Sequence, residues 1–236
     1  LSERLESIPP NEKYRRWITI VDWRLSRSGD VEPDGVVPRG AYASSHELDG
    51  DLCLLQASLA SNHNENIADG EVQSWLDQVR TFGLHLARLD VRQDARYYET
   101  VMIELFRQAG LADDFSSLSE VDRQRLLTET CGKPIRWNFE QLSEDARETL
   151  SVFALLRRTM RCYGAEAVGG HVISMTRAPS DVLTVLWLWH WSRCTDGGHP
   201  ADDELRLPII PLFETISDLQ GSYDTIMALF DLKLYR

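Results

Sequence analysis

The run RLPIIPLFETISDLQGS, residues 206–222, is apolar through Phe213 and then stops on the carboxylate of Glu214, with a turn and a helix start behind it. A core strand gains nothing from an acid at its tip, so Glu214 suggests a strand that ends at a site. Two arginines hold equivalent places. Arg92 opens Arg92-Gln93-Asp94 after the segment LARLDV (86–91), and Arg177 closes Thr176-Arg177 after GHVISM (170–175). A guanidinium is a planar, permanently charged fork that matches the oxygens of a phosphate or carboxylate in pairs. A lone carboxylate is a hard donor suited to Mg²⁺, which takes one or two protein carboxylates and fills its sphere with water and substrate. Together the three residues describe a metal-assisted reaction on a small anionic substrate.

A plain structural reading stands beside this one. Arg92 and Glu214 can pair with each other or with neighbouring helices, and Arg177 can cap the loop behind its strand. The two readings differ in geometry. A shared site puts Arg92 and Glu214 at one end of the strand layer, facing a cleft with a gap for metal and substrate between them. The structural reading demands a direct ion pair, or separate partners on opposite faces.

The elements that must position these residues follow from the periodicity. LARLDV, GHVISM and LPIIPLF (207–213) suit short strands, and each is followed by a polar turn and a helix. Strand, turn and helix in succession mark parallel βα units, whose ligand sites lie at the carboxyl ends of the strands. Elsewhere the pattern is helical. Tyr14, Trp17, Ile18, Val21 and Leu25 share a face in 11–28, and Val72, Trp75, Leu76, Val79 and Phe82 share one in 70–85. Helices are also expected over 48–61, 95–110, from Ser119 with its S-x-x-D cap, 143–164 and 178–192. The expected fold is therefore α/β and mainly helical: a partial (β/α) barrel with about three short parallel strands and many helices. The 236 residues are read as one piece, mostly helical over 1–85, with three successive strand-turn-helix units over 86–236.

Composition narrows the function. The balance, 43% hydrophobic and 26% charged, is that of a globular protein, and a net charge of −12 argues against a nucleic-acid partner, because phosphates would be repelled. Cys53, Cys131, Cys162 and Cys194 form no close pair, which reads as reduced thiols of a cytoplasmic protein. The opening LSERLESIPPNEKY has no apolar signal core, and VLTVLWLWHW (182–191) is too short to cross a bilayer, so no membrane role is expected. The missing initiator Met and the end at LYR fit an excerpt of a longer chain. The six histidines show no metal-ligand spacing, and the Trp187, Trp189 and Trp191 run reads as core. Gly169-Gly170 is expected to precede a strand, not to cradle a phosphate.

Four stretches, in order, then resemble one family, phosphoenolpyruvate carboxylase. NEKYRRWI resembles its N-E-x-Y-R helix start, and RTFGLHLARLDVRQDAR its T-F-G-x-x-L-x-x-[LI]-D-[IV]-R-Q-E-[SA] stretch. HVISMTRAPSDVLTV is similar to its Y-V-I-S-M-[AT]-x-x-P-S-D-V-L-x-V segment, and LPIIPLFETISDLQGS to its V-x-P-L-F-E-T-[LI]-x-D-L motif. The resemblance implies a barrel of parallel strands among helices. It also implies the carboxylation of phosphoenolpyruvate by bicarbonate to oxaloacetate and phosphate, with Mg²⁺ or Mn²⁺, in a homotetrameric parent. By its motifs, Glu214 is a metal ligand and Arg92 an active-site cation. The family's histidine motif, its second metal acid and its Gly- and Arg-rich loop are not in these residues, so the chain is expected to carry one of two metal carboxylates and part of the anion site. His85 and Asp94 depart from the small residue and Glu usual there. The competing expectation is a non-catalytic helical interaction module that keeps the family core.

Overall fold

A computed structural model of the chain describes residues 1–29, 37–85, 87–193 and 205–235. Cys194, His199 and the acidic run Asp202-Asp203-Glu204 lie outside the described residues, as do Leu86 and residues 30–36 of the Gly/Pro-rich loop over 29–45. The chain divides into two compact units, Leu1–Arg88 with Cys162–Ala167, and Leu89–Arg161 with Val168–Arg236.

The first unit is helical: α1 (Ser2–Glu6), α2 (Lys13–Ser28), α3 (Ser45–Ser61), α4 (Glu65–Ile67) and α5 (Gln73–Phe82), with a π-helical turn, Ala68–Val72, joining the last two. Leu48, Leu52, Leu55 and Leu59 recur at helical spacing along α3 and bury against Val21, Ala68, Val72 and Leu76. Arg24 ties α2 to α3. Its guanidinium stacks 3.8 Å from the Tyr42 ring centre and reaches Glu47 at 2.7 Å and Asp51 at 2.8 Å. The predicted apolar faces are wider than the buried ones. Val21, Val72 and Leu76 are buried, whereas Ile18, Trp75 and Phe82 are exposed. Periodicity marks which face is apolar but not how much of it a neighbour covers.

The second unit holds the sheet. Strands β1 (Leu89–Asp94), β2 (Val168–Ser174) and β3 (Ile209–Pro211) pair in the order β1-β2-β3, both pairs parallel, and the sheet is open rather than closed. Around it run α6 (Ala95–Gln108), α7 (Glu120–Thr130), α8 (Glu144–Tyr163), α9 (Pro179–Ser192) and α10 (Ile216–Asp231). The mainly helical, partial α/β-barrel character expected above is what the chain adopts. The strand limits differ from the apolar segments. β1 runs three residues further than LARLDV and takes in Arg92, because its extent is set by pairing with β2, where Arg92 lies opposite Val172. β2 begins earlier than expected and includes Gly169 and Gly170. Gly170 suits the close approach there, since a Cβ would sit 3.1 Å from the backbone oxygen of Pro208, tighter than an ordinary contact, and 2.8 Å from the movable Ile210 Cδ1.

The core of this unit forms where α6 and α9 meet the sheet. Tyr98, Val101, Met102, Leu105 and Phe106 of α6 are all buried, as their spacing predicts. Helix α9 is apolar all round and buried on nearly every side. Its indoles still find acceptors: Trp187 Nε1 donates to Thr130 Oγ1 and Trp191 Nε1 to the Ile135 carbonyl, each at 2.9 Å. These tryptophans are core. Among the described residues no helix is long and apolar enough to cross a membrane.

One buried group makes this core sensitive to pH. His171 of β2 is fully buried, stacked on Phe153 at 7° and 2.6 Å from the Tyr98 hydroxyl. Burial pushes its pKa from 6.5 down to about 4. A depressed histidine favours the neutral ring in the folded state, so its contribution is complete above about pH 6.5 and is lost as pH falls towards about 4. The difference corresponds to roughly 3 kcal/mol. His171→Gln, which keeps a neutral hydrogen-bonding group, is expected to flatten the fall in unfolding free energy across this window in denaturant titrations. An unchanged slope would assign the acid lability elsewhere.

Candidate active site

Parallel pairing places the ends of β1, β2 and β3 on one side, and the candidate residues gather there. Arg92 is the third residue from the end of β1, Arg177 follows β2 after Met175 and Thr176, and Glu214 follows β3 after Leu212 and Phe213. The turn after β2 is held from below. Thr176 is buried, its N–H donates to the Leu212 carbonyl at 3.1 Å, and its hydroxyl donates to the Ile173 carbonyl at 2.9 Å. Met175 takes the left-handed region, φ 57°, an uncommon conformation for a residue with a side chain. The turn after β3 is held by Thr215, whose hydroxyl accepts the Asp218 N–H at 3.1 Å while the Asp218 carboxylate accepts the Thr215 N–H at 3.3 Å.

Arg92 and Glu214 therefore emerge at the same end, as a shared site requires, but the expected gap between them is not present. Arg92 Nη2 donates to Glu214 Oε1 at 2.7 Å. This is the direct ion pair that the structural reading demanded. The reason is electrostatic: two opposite charges brought to one strand end, with no closer partner, pair with each other. The pair is open to solvent, the Arg92 side chain 59% exposed and that of Glu214 32%. Two grooves of this unit, about 540 and 560 Å³, are lined by other residues, among them Trp189, His190 and Leu207 in one and Leu111, Asp122 and Glu129 in the other.

The remaining charges are each held by more than one contact. Asp94, the last residue of β1, accepts the Arg96 backbone N–H at 2.8 Å as the N-cap of α6, and grips the Arg96 guanidinium at 3.1 and 2.6 Å. Those bonds from Arg96 hold the Asp94 carboxyl below the ordinary range. Arg177 lies 3.5 Å from both Glu99 and Asp181, and Glu99 also binds Arg123 at 2.7 Å. Asp181 is buried and accepts the N–H groups of Arg177 at 2.8 Å and Ala178 at 3.2 Å. Burial raises its pKa, against the effect of those two donors.

The strand-end arrangement thus contains the three residues named from sequence together with Asp94, Arg96, Glu99, Arg123 and Asp181. Asp181 carried a signal, since P-S-D reads as a helix start with an acid in its first turn. Glu99 and Arg123 carried none, because only the packing of α6 near α7 makes them neighbours. As for a metal, Glu214 offers one hard oxygen donor near solvent, which fits one corner of a Mg²⁺ or Mn²⁺ site. Among the described residues no group of three or more His, Cys, Asp or Glu side chains could hold an ion, so these residues do not close such a site.

With this geometry in place, similarity to known proteins can be weighed. The family model for phosphoenolpyruvate carboxylase matches residues 1–236. The chain is 35% identical over 239 residues to a phosphoenolpyruvate carboxylase of Mycobacterium avium (strain 104), covering 98% of this chain and 26% of that protein. It is 35% identical over 236 residues to that of Mycobacterium leprae (strain TN), and 34% identical over 240 residues to that of Burkholderia mallei (strain SAVP1). These alignments cover 96% and 94% of the chain, and 25% and 24% of those proteins. The chain spans about a quarter of the length of the curated relatives it matches.

The contrast between the buried and exposed acids gives a test. Asp181→Ala removes an acceptor from two N–H groups at a buried helix start and is expected to cost about 1–3 kcal/mol. Arg92→Ala breaks a solvent-exposed pair and is expected to cost less than about 1 kcal/mol. Urea unfolding of both variants decides it, and an equal cost for the two would make the Arg92–Glu214 pair a structural strut.

Proposed function

The chain belongs to the phosphoenolpyruvate carboxylase family, and from that membership we propose that it forms part of a catalytic core that carboxylates phosphoenolpyruvate with bicarbonate, giving oxaloacetate and phosphate. The observation that carries this reading is the convergence of Arg92 and Glu214 on one end of a parallel sheet, within a chain the family model matches from end to end. Residues from separate strands share that end only if the βα architecture is formed, and the ends of parallel strands are where such folds carry ligand sites.

In this reading Glu214 is one of the carboxylates of a Mg²⁺ or Mn²⁺ site, and the rest of the donor set lies outside the described residues. A divalent ion bound there would offset the negative charge that grows on the enolate as it leaves phosphorus. The protein's own part is to hold anions. A bicarbonate oxygen attacks phosphorus, the bond from phosphorus to the enolate oxygen breaks, and carboxyphosphate forms. The Arg92 guanidinium, anchored in β1, is suited to hold that anion by paired hydrogen bonds and to offset its charge. Arg177, shared between Glu99 and Asp181, is a second guanidinium at the same end. We extend the reading to a cytoplasmic, homotetrameric parent protein.

The direct Arg92–Glu214 contact also suits a second reading, a helical module that keeps the family core without the chemistry. Turnover separates the two. The 236-residue chain alone is expected to produce no oxaloacetate and to bind Mn²⁺ weakly, since it holds one metal carboxylate. In the full-length natural protein that carries this sequence, Glu214→Gln is expected to cut kcat by about 100-fold or more. Arg92→Lys is expected to cut it severely, because one ammonium cannot replace the planar fork. A full-length protein inactive before substitution would favour the module, whereas near-normal turnover after both substitutions would leave the enzyme reading and overturn the assignment of Arg92 and Glu214 to its site.

A further inference from the structure

We propose that the Arg92–Glu214 ion pair is a latch that couples the loading of cation and anion at this end of the sheet. Each partner occupies the other's binding group, so a ligand for either one releases the other. The proposal rests on the reading of Glu214 as a metal carboxylate and Arg92 as an anion-holding cation, and extends it to how the two are filled.

Glu214 Oε1 accepts from Arg92 Nη2 at 2.7 Å, so a divalent cation drawn to that carboxylate meets a positive charge one hydrogen bond away. It must displace the guanidinium or bind against its repulsion. An anion on Arg92 has the opposite effect. It satisfies the guanidinium, returns the carboxylate oxygen to the cation, and puts a negative neighbour where a positive one stood. Cation and anion affinities then rise together, by equal factors in each direction, as linkage requires.

The surroundings favour this pair as the one that opens. Arg96 is gripped by both oxygens of Asp94, and Arg177 is shared between Glu99 and Asp181. Arg92 and Glu214 meet through a single bond, their side chains 59% and 32% exposed, as open to water as the doubly bonded Arg96 and Asp94 at 61% and 31%. Their backbones are anchored, Arg92 by the β1–β2 ladder and Glu214 beside the Thr215–Asp218 cap. Opening is therefore a change of side-chain rotamer with no movement of strand or helix.

Exposed pairs of this kind are worth little, so the latch is light: removing Arg92 should tighten cation binding by about twofold to fivefold. The test is calorimetric titration of Mn²⁺ into the full-length natural protein that carries this sequence, with and without inorganic phosphate as the anion probe. In the unsubstituted protein phosphate should tighten Mn²⁺ binding severalfold, and Mn²⁺ should tighten phosphate binding by the same factor. Without phosphate, Arg92→Gln and Arg92→Met should each bind Mn²⁺ about twofold to fivefold more tightly, and the effect of phosphate should shrink in both. If both variants bind Mn²⁺ no better than the unsubstituted protein while Glu214→Gln loses Mn²⁺ binding, the latch is overturned and the metal reading stands. If Glu214→Gln keeps full Mn²⁺ affinity, the metal reading falls and the latch with it.

Discussion

Strand β2 is paired to a parallel neighbour along both edges, from Leu89–Val168 on one side to Ile173–Pro211 on the other. Parallel pairing cannot be closed by a tight turn, so the chain must return through helices between strands. The same geometry brings every carboxyl end to one side. Arg92, Arg177 and Glu214 are far apart in the chain, and this constraint alone makes them neighbours. The approach is close at Gly170, where a Cβ would stand 3.1 Å from the Pro208 carbonyl oxygen just before β3. It is reinforced past the ladder, where Leu212 N donates to the Ile173 carbonyl and Thr176 N to the Leu212 carbonyl.

What could be read from the residues follows from how local each signal was. Helix existence rests on periodicity and caps within a dozen residues. Ser119 accepts the Asp122 N–H as its spacing implied, and the α6 face Tyr98, Val101, Met102, Leu105 and Phe106 is buried as a whole. Strand limits rest on a partner elsewhere in the chain, which is why β1 extends through the polar Arg92-Gln93-Asp94 beyond its apolar run. The strand-end residues were legible because a charge at the end of an apolar run is conspicuous. Their partners were less so: Asp181 reads only as the first-turn acid of α9, and Glu99 and Arg123 look like ordinary surface charges until α6 and α7 are packed. The expectation of a gap between Arg92 and Glu214 failed because it described a loaded site, whereas the residues of this chain by themselves satisfy each other.

The strand-end groups divide by burial into those that hold the end together and those that face water. Asp181 is nearly inaccessible and is spent on two backbone N–H groups, so its carboxylate is committed to starting α9. Thr176 is committed in the same way to the turn beneath. A buried acceptor that loses its role leaves donors unpaired, and that cost is what keeps such residues in place. Arg92 and Glu214 carry no comparable obligation, since water can replace each partner at small cost.

That division explains why the left-handed Met175 sits where it does. A residue with a side chain at φ 57° is disfavoured, and the conformation persists only where its surroundings over-determine it. Here the surroundings are the Thr176 bonds to Leu212 and Ile173 on one side and the Asp181 bonds to Arg177 and Ala178 on the other. Together they turn the chain sharply off β2, so that Arg177 reaches Glu99 on α6 and does not continue along the strand. The strained turn and the rigid acid–base network are thus one device. It fixes the guanidinium of Arg177 beside the same sheet end at which Arg92 pairs with the exposed Glu214.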